Sequence, residues 1–482
     1  MRHQGARTDG PLARRKGPHA RVDAEAHVDG IAGGAMCRVE LHAGTYGPVA
    51  ARSGSRAWAV VTVSDDDDVG GGGRHGKHDR PIVTAAPDHE IGGRVASGFE
   101  PVRSAFVDNF AERGELGGAV CVVVDGEVVV DLWGGVRDRA TGAPWCSETM
   151  TLVHSTTKGL SALVLALLHS RGLLDYDERV ATYWPEFARA GKEDITVRQL
   201  LAHQAGLFAF DERVDAEAVA DLDRLAGVME RQRPIWPPGE RQAYHGITLG
   251  FYENELVRRI DPDHRTIGRV LHEDVAIPLG VAGEVYIGTP SSVPDERLAA
   301  LVPPGWWARL TSMSPRLVID ALWPRSVLHR SLVANPGTSF YVDAEHVIVR
   351  ELEVPSGGAV ATARAIATAY GAFAAVAGPL GLRPETLEAL SAPASPARRG
   401  YYDECFRGAV KFSLGFMKPS EMVDFGSASA FGAPGAGGSM GFADPAVPLG
   451  YGYVTDKMSM ELQGDRRDLA LRRALATVLS RR

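Results

Sequence analysis

The chain has 482 residues, of which 45% are hydrophobic and 23% are charged, and its formal net charge at pH 7 is −8. This length suits one large domain with a tail, or two or three domains, and the composition is that of a globular protein. The acidic balance argues against a general nucleic-acid-binding protein, which carries a basic stripe, so we expect no nucleic-acid partner.

The four cysteines are far apart in the sequence, at Cys37, Cys121, Cys146 and Cys405. No Cys or His spacing indicates a zinc or redox site, so we expect neither a metal nor a cofactor. No apolar run is long enough to span a bilayer, and the basic N-terminus is not followed by the apolar segment of a signal peptide. The sequence therefore predicts a soluble, cytoplasmic protein, and it does not indicate the oligomeric state.

Residues 1–95 differ in composition from the rest of the chain. They are rich in Gly, Ala, Arg, His and Asp, with four aspartates at 65–68 and four glycines at 70–73. Such a segment cannot bury enough apolar surface to offset the entropy lost on ordering. We therefore predict a disordered low-complexity tail over residues 1–95 and a folded domain over residues 96–482.

The folded part contains a definite order of helical and strand patterns. Three local signals are clear: the hairpin turn Asp125-Gly126, the helix N-cap Thr196 and the helix-ending Gly172. The predicted elements are, in chain order, a helix over residues 101–113, a β-hairpin over 117–135, a helix from Ser155 to about Gly172, a helix over 195–203, helical segments to about 301, a small-residue helix over 359–377, strands over 410–416, 432–444 and 449–454, and a helix over 469–479.

Strands at both ends of the folded part thus flank a mainly helical middle, at about residues 175–350. This order predicts an α/β protein of the α+β type. Its antiparallel sheet is built from both ends of the domain and flanked by helices, with a mainly helical subdomain inserted between the two groups of strands.

The first candidate for chemistry is Ser155-Thr156-Thr157-Lys158, at the start of an apolar helix. Residues three apart are neighbours on a helix surface, and a serine hydroxyl needs a nearby base to act as a nucleophile. A lysine in a partly apolar pocket loses its proton more easily than one in water, so Lys158 can be that base. By itself the spacing also occurs by chance.

Tyr244 is the second candidate, because it follows a Pro/Gly turn at residues 237–239. A tyrosine side chain can take and return protons when a nearby cation such as Lys158 lowers its pKa. The alternative is a half-buried tyrosine that makes one structural hydrogen bond.

The third candidate is the glycine-rich stretch 431–445, whose backbone N–H groups could approach a substrate carbonyl; the alternative is a bulged strand. Within it, residues 437–441 match the G-x-S-x-G nucleophile elbow around Ser439. That elbow requires a histidine later in the chain, and none follows Ser439. We therefore reject Ser439 as a nucleophile.

From about residue 98 to its C-terminus, the chain resembles the serine β-lactamase-related superfamily. This superfamily includes class C β-lactamases, D-Ala-D-Ala carboxypeptidases and the family VIII esterases, and the esterase branch is the most similar. The resemblance implies a β-lactamase/transpeptidase-like fold. It lies in segments that follow one another in the family's order, at residues 154–159, 200–207, 236–239, 244–248 and 435–439.

The resemblance also implies roles for individual residues. Ser155 would be the acyl-accepting nucleophile, and Lys158 and Tyr244 would share the general base and acid work. The backbone N–H groups of Ser155 and Ala436 would form the oxyanion hole. Three further residues would contact the substrate: Gly435, Gly437 and His245.

Two departures from the family pattern narrow the function. β-Lactamases carry Tyr-x-Asn, whereas Gly246 stands in the third place here. They also carry Lys-Thr-Gly, and the esterase branch often has His-x-Gly, whereas this chain has Ala433-Pro434-Gly435. Because a β-lactam or peptide carboxylate is bound there, the changes count against β-lactamase and D-Ala-D-Ala carboxypeptidase activity.

The sequence therefore predicts a serine carboxylesterase that acts on small or medium acyl esters through an acyl-Ser155 intermediate. The expected partner is a small-molecule ester or acyl substrate. Two alternatives stay open at this point. One is an acyltransferase of the same fold that passes the acyl group to a metabolite, and the other is a catalytically weak, binding-type relative.

Overall fold

The computed structural model describes residues 91–305, 314–333, 350, 352–376, 378–461 and 464–481. Residues 1–90 of the expected tail lie outside these ranges. Its last five residues differ from the expectation, because Ile91–Val95 forms a strand at the edge of the main sheet. The folded domain thus begins at Ile91 or earlier, because residues 91–95 pair with residues 130–134 in the sheet.

Antiparallel pairing joins the strands into one large and two small sheets. The main sheet has the order β1-β3-β2-β14-β13-β12-β11-β10, with β4 beside β3; β5-β7-β6 and β8-β9 form the small sheets. Strands from the two ends of the domain meet where β2 pairs with β14, which confirms the predicted sheet. The strands are β1 (Ile91–Val95), β2 (Gly117–Val124), β3 (Glu127–Asp138), β4 (Ala143–Pro144), β5 (Thr151–Leu152), β6 (Val285–Ile287), β7 (Ala359–Ala361), β8 (Tyr402–Asp403), β9 (Gly408–Ala409), β10 (Phe412–Ser413), β11 (Phe416–Met417), β12 (Phe431–Pro434), β13 (Met440–Asp444) and β14 (Leu449–Thr455).

Helices flank the main sheet, and nine of those in the described ranges lie between β5 and β7 in the chain. They are α1 (Glu100–Glu112), α2 (Thr156–Ser170), α3 (Val180–Tyr183), α4 (Val197–Leu201), α5 (Ala216–Ala220), α6 (Leu222–Arg231), α7 (Thr248–Ile260), α8 (Ile267–Val270), α9 (Pro315–Leu322), α10 (Val327–Leu332), α11 (Ala363–Ala372), α12 (Pro384–Ser391) and α13 (Arg466–Leu479). Of the helices in the described ranges, none combines the length and apolar character needed to cross a membrane.

The central strand β2 shows how the layers pack. All of its residues are buried, and they alternate between two hydrophobic clusters. Val120 and Val122 belong to the cluster that contains Leu471 of α13, whereas Cys121 and Val123 belong to the one that contains α2 and α11. Because successive side chains of a strand point to opposite faces, the sheet is covered by helices on both sides.

The predicted helix over residues 359–377 is correct only in part. The first three residues form β7, which pairs with β5 and β6. Helix α11 begins after Thr362, whose side chain accepts a hydrogen bond from the Ala365 N–H. The small residues of α11 let it lie directly on β14, where a Cβ added at Gly450 would overlap the carbonyl of Ala367.

Two predicted strands near the C-terminus are each divided in the structure. Residues 410–416 contain the hairpin of β10 and β11, whose turn places Leu414 and Gly415 at φ 52° and 87°. Residues 432–444 contain parts of β12 and β13, joined by a loop that holds Gly435 to Ser439. This loop lies against the start of α2 and brings the third sequence motif to Ser155.

Candidate active site

Ser155 lies at the N-terminus of α2, where a tight turn leads from β5 into the helix. His154 has φ 46°, and the N–H of Thr157 donates to its carbonyl over 2.9 Å. The apolar residues that follow are almost all buried, so α2 runs into the core while Ser155 remains half-buried. The predicted end of the helix is also observed, because Gly172 follows α2 with φ 76°.

Lys158 lies one turn into α2 and is only 3% exposed. Its Nζ donates hydrogen bonds to the carbonyls of Gly246 and Ser356, each at 2.6 Å, and it lies 3.3 Å from Ser155 Oγ. Burial lowers the pKa of Lys158 to about 7, and the nearby Glu253 opposes this change. The amine can therefore exchange a proton near neutral pH.

Tyr244 reaches Ser155 from the loop before α7. Its hydroxyl donates a 2.8 Å hydrogen bond to Ser155 Oγ, and its ring centroid lies 4.8 Å from Lys158 Nζ. The ring is held between aromatic neighbours, with Phe406 at 4.9 Å and Phe412 at 5.8 Å between centroids. Two groups able to transfer protons therefore contact the same serine oxygen.

The loop between β12 and β13 is fixed to the start of α2 through Ser439. The buried Ser439 hydroxyl donates to the Val153 carbonyl at 2.8 Å and lies 3.0 Å from the hydroxyl of Thr156. Any side chain at Gly435 would overlap Ser439 Oγ and the Val153 carbonyl, so glycine is required there. Ser439 thus links the loop to the residues at the start of α2.

The N–H groups of Ser155 and Ala436 have no hydrogen-bond acceptor in the described part of the chain. Ala436 is exposed and follows Gly435 directly, on the loop that packs against the Ser155 turn. Both N–H groups can therefore donate a hydrogen bond to a bound molecule at this end of α2. Gly437 is held further along the same loop, where its carbonyl accepts a 3.0 Å hydrogen bond from the Ser459 N–H.

His245 does not line the site, which corrects the expectation that it contacts the substrate. Its side chain is fully buried. Its Nδ1 lies 2.6 Å from the Ala243 carbonyl, and its Nε2 accepts a 3.1 Å hydrogen bond from the Leu207 N–H. A ring nitrogen that accepts carries no proton, so His245 is neutral, and burial lowers its pKa to about 4. His245 joins two loops and has no free face for a ligand.

Three contributors to the site were not identified from the sequence: Ser331, Glu253 and the carbonyl of Ser356. Glu253 of α7 is fully buried, and neither of its carboxylate oxygens has a hydrogen-bond partner among the described residues. Burial raises the pKa of Glu253 to about 8, and Lys158 acts against this rise. An acidic residue directly after the largely apolar run 247–252 was the available signal for Glu253, whereas Ser331 and Ser356 gave none.

The positions that hold charged or amide side chains in β-lactamases are apolar here. Ala433 and Pro434 end β12 without a cation or hydroxyl, and Gly246 has no side chain. Over the described ranges, no group of three or more His, Cys, Asp or Glu side chains is placed to hold a metal ion. The side chains that contact Ser155 Oγ are Lys158 and Tyr244, and both carry groups that can transfer protons.

Comparisons with known proteins agree with this architecture. Residues 102–476 match the family described as beta-lactamase. The esterase/beta-lactamase LipL of Mycobacterium tuberculosis is 31% identical over 394 residues, which are 79% of this chain and 87% of LipL. A solved family VIII carboxylesterase is 35% identical with a TM-score of 0.71, and it covers 81% of this chain and 100% of its own. EstA from Arthrobacter nitroguajacolicus is 31% identical with a TM-score of 0.68 and covers 81% of this chain and 99% of its own.

The family match covers most of the chain, and its boundaries enclose Ser155, Lys158, Tyr244 and the glycine loop. The sheet order and the helices on both of its faces confirm the fold that the sequence motifs implied. The chain therefore belongs to the β-lactamase family and is a serine hydrolase of the β-lactamase fold.

Proposed function

We propose that the protein is a serine carboxylesterase that acts on small or medium acyl esters through an acyl-Ser155 intermediate. One observation carries the proposal: Ser155 Oγ is hydrogen-bonded by the Tyr244 hydroxyl at 2.8 Å and by Lys158 Nζ at 3.3 Å. A serine hydroxyl becomes a nucleophile when a base can take its proton, and two such groups contact it here. The similarity to LipL and to a family VIII carboxylesterase supports an ester as the substrate.

In the proposed acylation step, Ser155 Oγ forms a bond to the ester carbonyl carbon while its proton passes to the pair formed by Lys158 and Tyr244. The negative charge on the former carbonyl oxygen would be stabilised by the N–H groups of Ser155 and Ala436. When the tetrahedral intermediate collapses, the carbon–oxygen bond to the alcohol breaks. The pair returns the proton to the departing alcohol, which leaves an acyl group on Ser155.

Deacylation repeats these steps with water as the nucleophile. Lys158 and Tyr244 take a proton from water, the hydroxide attacks the acyl carbon, and Ser155 Oγ leaves with that proton. An alcohol that replaced water would receive the acyl group, which is the acyltransferase alternative. Added alcohols separate the two, because a transferase forms the new ester faster than it releases free acid.

Two features support an ester rather than a β-lactam or a peptide. The ends of those substrates carry a carboxylate, and Ala433 and Pro434 supply neither a positive charge nor a hydroxyl at the corresponding edge of β12. Gly246 supplies no amide. We expect nitrocefin turnover far below ester turnover, and comparable rates would contradict the ester assignment.

The proposal is tested by the release of p-nitrophenolate from a p-nitrophenyl ester, followed from the first turnover. The wild-type protein is expected to give a burst of about one equivalent per chain, because acylation releases the phenolate, and then steady turnover. Ser155→Ala is expected to abolish both phases. Ser170→Ala, at the other end of α2, is the matched control and is expected to keep them. A burst that persists in Ser155→Ala would overturn the proposal.

Lys158→Ala tests the base in the same assay. We expect the acylation rate to fall by several orders of magnitude, roughly 10³-fold or more. When catalytic residues act as a unit, the removal of one of them abolishes most of the rate that the whole unit provides. A near-normal rate in Lys158→Ala would remove Lys158 from the mechanism. Absence of any burst in the wild type would favour the catalytically weak, binding-type relative.

A further inference from the structure

The third residue of the Tyr-x-Asn motif of β-lactamases is an asparagine. In this chain, the space beside that position is occupied by another segment. Gly246 stands in the third place, and a Cβ added to it would overlap Leu332 Cδ2 and lie 3.0 Å from Ser331 Oγ. Both residues belong to the last turn of α10. The space beside the Gly246 backbone is thus occupied by α10, so Gly246 could not take a side chain unless this helix moved.

Ser331 makes two hydrogen bonds to the Tyr244 loop, defined here as residues 244–246. Its Oγ donates to the Tyr244 carbonyl at 2.6 Å and accepts from the Gly246 N–H at 2.9 Å. The Ser331 side chain is 2% exposed, so water does not replace these bonds when they are lost. One hydroxyl therefore holds both ends of a three-residue loop.

The same loop supplies two contacts to the Ser155 site. The Tyr244 hydroxyl donates to Ser155 Oγ at 2.8 Å, and the Gly246 carbonyl accepts from Lys158 Nζ at 2.6 Å. Ser331 bonds one backbone group of each of these same two residues, the Tyr244 carbonyl and the Gly246 N–H. A shift of the loop would therefore change the distance from Tyr244 to Ser155 and the support of Lys158 together.

We propose that Ser331 is a positioning residue: from helix α10 it orients the Tyr244 loop through its two hydrogen bonds. This inference rests on the proposed function, since it assumes that Tyr244 and Lys158 transfer protons to and from Ser155. Ser331 does not itself contact Ser155, so it acts on the rate through the loop. Misplacement of a catalytic group by about 1 Å lowers rates by roughly 100-fold.

The test compares Ser331→Ala with Ser326→Ala in kcat and KM for a p-nitrophenyl ester. Ser326 is the N-cap of the same helix, where its Oγ accepts a 3.0 Å hydrogen bond from the His329 N–H. Both variants remove one hydroxyl that stabilises α10, but only Ser331→Ala frees the Tyr244 loop. We expect kcat to fall about 10- to 100-fold in Ser331→Ala, with KM within about threefold of wild type. Ser326→Ala is expected to keep kcat within about twofold.

A third variant, Ser331→Cys, keeps the proposal testable if Ser331→Ala does not fold. A thiol has nearly the same shape and is a weaker donor and acceptor, so we expect an intermediate kcat. The assay contains a reductant, because the thiol of Cys405 contacts Ser331. A kcat in Ser331→Ala, or in Ser331→Cys where only that variant folds, equal to that of Ser326→Ala would overturn the inference. Failure of the proposed function looks different, because Ser155→Ala would then retain the burst.

Discussion

The hydroxyl of Tyr244 donates a 2.8 Å hydrogen bond to Ser155 Oγ from a residue 89 positions later in the chain. The Tyr244 ring also lies 4.8 Å from Lys158 Nζ. Each of the three side chains thus contacts the other two, and α2 supplies two of them. The position of the third depends on the loop before α7, so the geometry at Ser155 is set by how this loop packs.

Tyr244→Phe should remove the hydrogen bond to Ser155 and keep the ring. The phenyl group still fits between Phe406 and Phe412, so we expect the unfolding temperature to change by only a few degrees. General acid–base groups contribute roughly 10²- to 10⁴-fold, and we expect kcat to fall within that range. Burst kinetics and thermal unfolding of the variant check both statements. A kcat within threefold of wild type would show that Lys158 alone serves Ser155.

The acylation rate should rise with pH and level off above pH 7. Burial lowers the pKa of Lys158 to about 7, and only the neutral amine can accept a proton from Ser155. Burial also lowers the pKa values of His154 and His245, each to about 4, so these rings do not titrate near 7. Pre-steady-state acylation measured from pH 5 to 10 checks this. A midpoint near 10, the value of a lysine in water, would contradict it.

Glu253→Gln should move this midpoint to lower pH. The ionised carboxylate stabilises the Lys158 cation, and removal of that charge makes the amine easier to deprotonate. Because the pKa of Glu253 is raised to about 8, the carboxyl is largely protonated near pH 7, and we expect a shift of up to about one unit. Tyr252→Phe, next to it on α7, is the matched control and should leave the midpoint in place. A shift to higher pH in Glu253→Gln would reverse the assigned sign.

Ser439→Ala should leave the acyl-enzyme intact. Ser439 bonds the Val153 carbonyl and the Thr156 hydroxyl, so its removal costs about 1 kcal/mol and lowers the unfolding temperature by a few degrees. We expect acylation within about tenfold of wild type, since the Ser155 contacts remain. Mass spectrometry of the acylated variant provides the check. If Ser439→Ala lost the adduct while Ser155→Ala retained it, the nucleophile would be Ser439.

Gly159→Ala should destabilise the fold beside Lys158. The added methyl group would overlap the Tyr370 hydroxyl and lie 3.1 Å from the Ala433 methyl, and overpacking of this kind costs about 1–3 kcal/mol. The Tyr370 hydroxyl is buried and has no hydrogen-bond partner in the described ranges, so Tyr370→Phe removes it at little cost. Urea unfolding of the two single variants and the double variant should show partial recovery. Additive losses would mean that the two residues are not coupled.

The elements that could be predicted from the sequence carry their own turn or cap residues. Asp125 and Gly126 adopt φ 51° and 81° in the predicted hairpin turn. Thr196 forms a complete capping box with Gln199 at the start of α4. Each signal depends on residues within four positions of one another, so it can be recognised without knowledge of the rest of the fold.

The errors occurred where distant segments determine the local structure. The short strand β7 is an Ala-Val-Ala sequence that also suits a helix, and its partners β5 and β6 are distant in the chain. Ile91–Val95 resembles the polar tail but pairs with β3. For a three- or five-residue segment, pairing with a distant strand outweighs local preference.

The candidate site, like the fold, could be predicted from the sequence only in part. The motif order placed Ser155, Lys158 and Tyr244 together, and the structure brings them into contact. His245 was misassigned, because its orientation toward Leu207 depends on loop packing. Ser331 lies on α10, a helix whose approach to the Tyr244 loop no local pattern indicates.

The most direct test of the account is intact-protein mass spectrometry after brief exposure to a fluorophosphonate, followed by peptide mapping. The account predicts one adduct per chain, located on Ser155, present in wild type and in Ser439→Ala and absent from Ser155→Ala. An unmodified wild-type chain, or an adduct that maps to another serine, would contradict the assignment of Ser155 as the nucleophile.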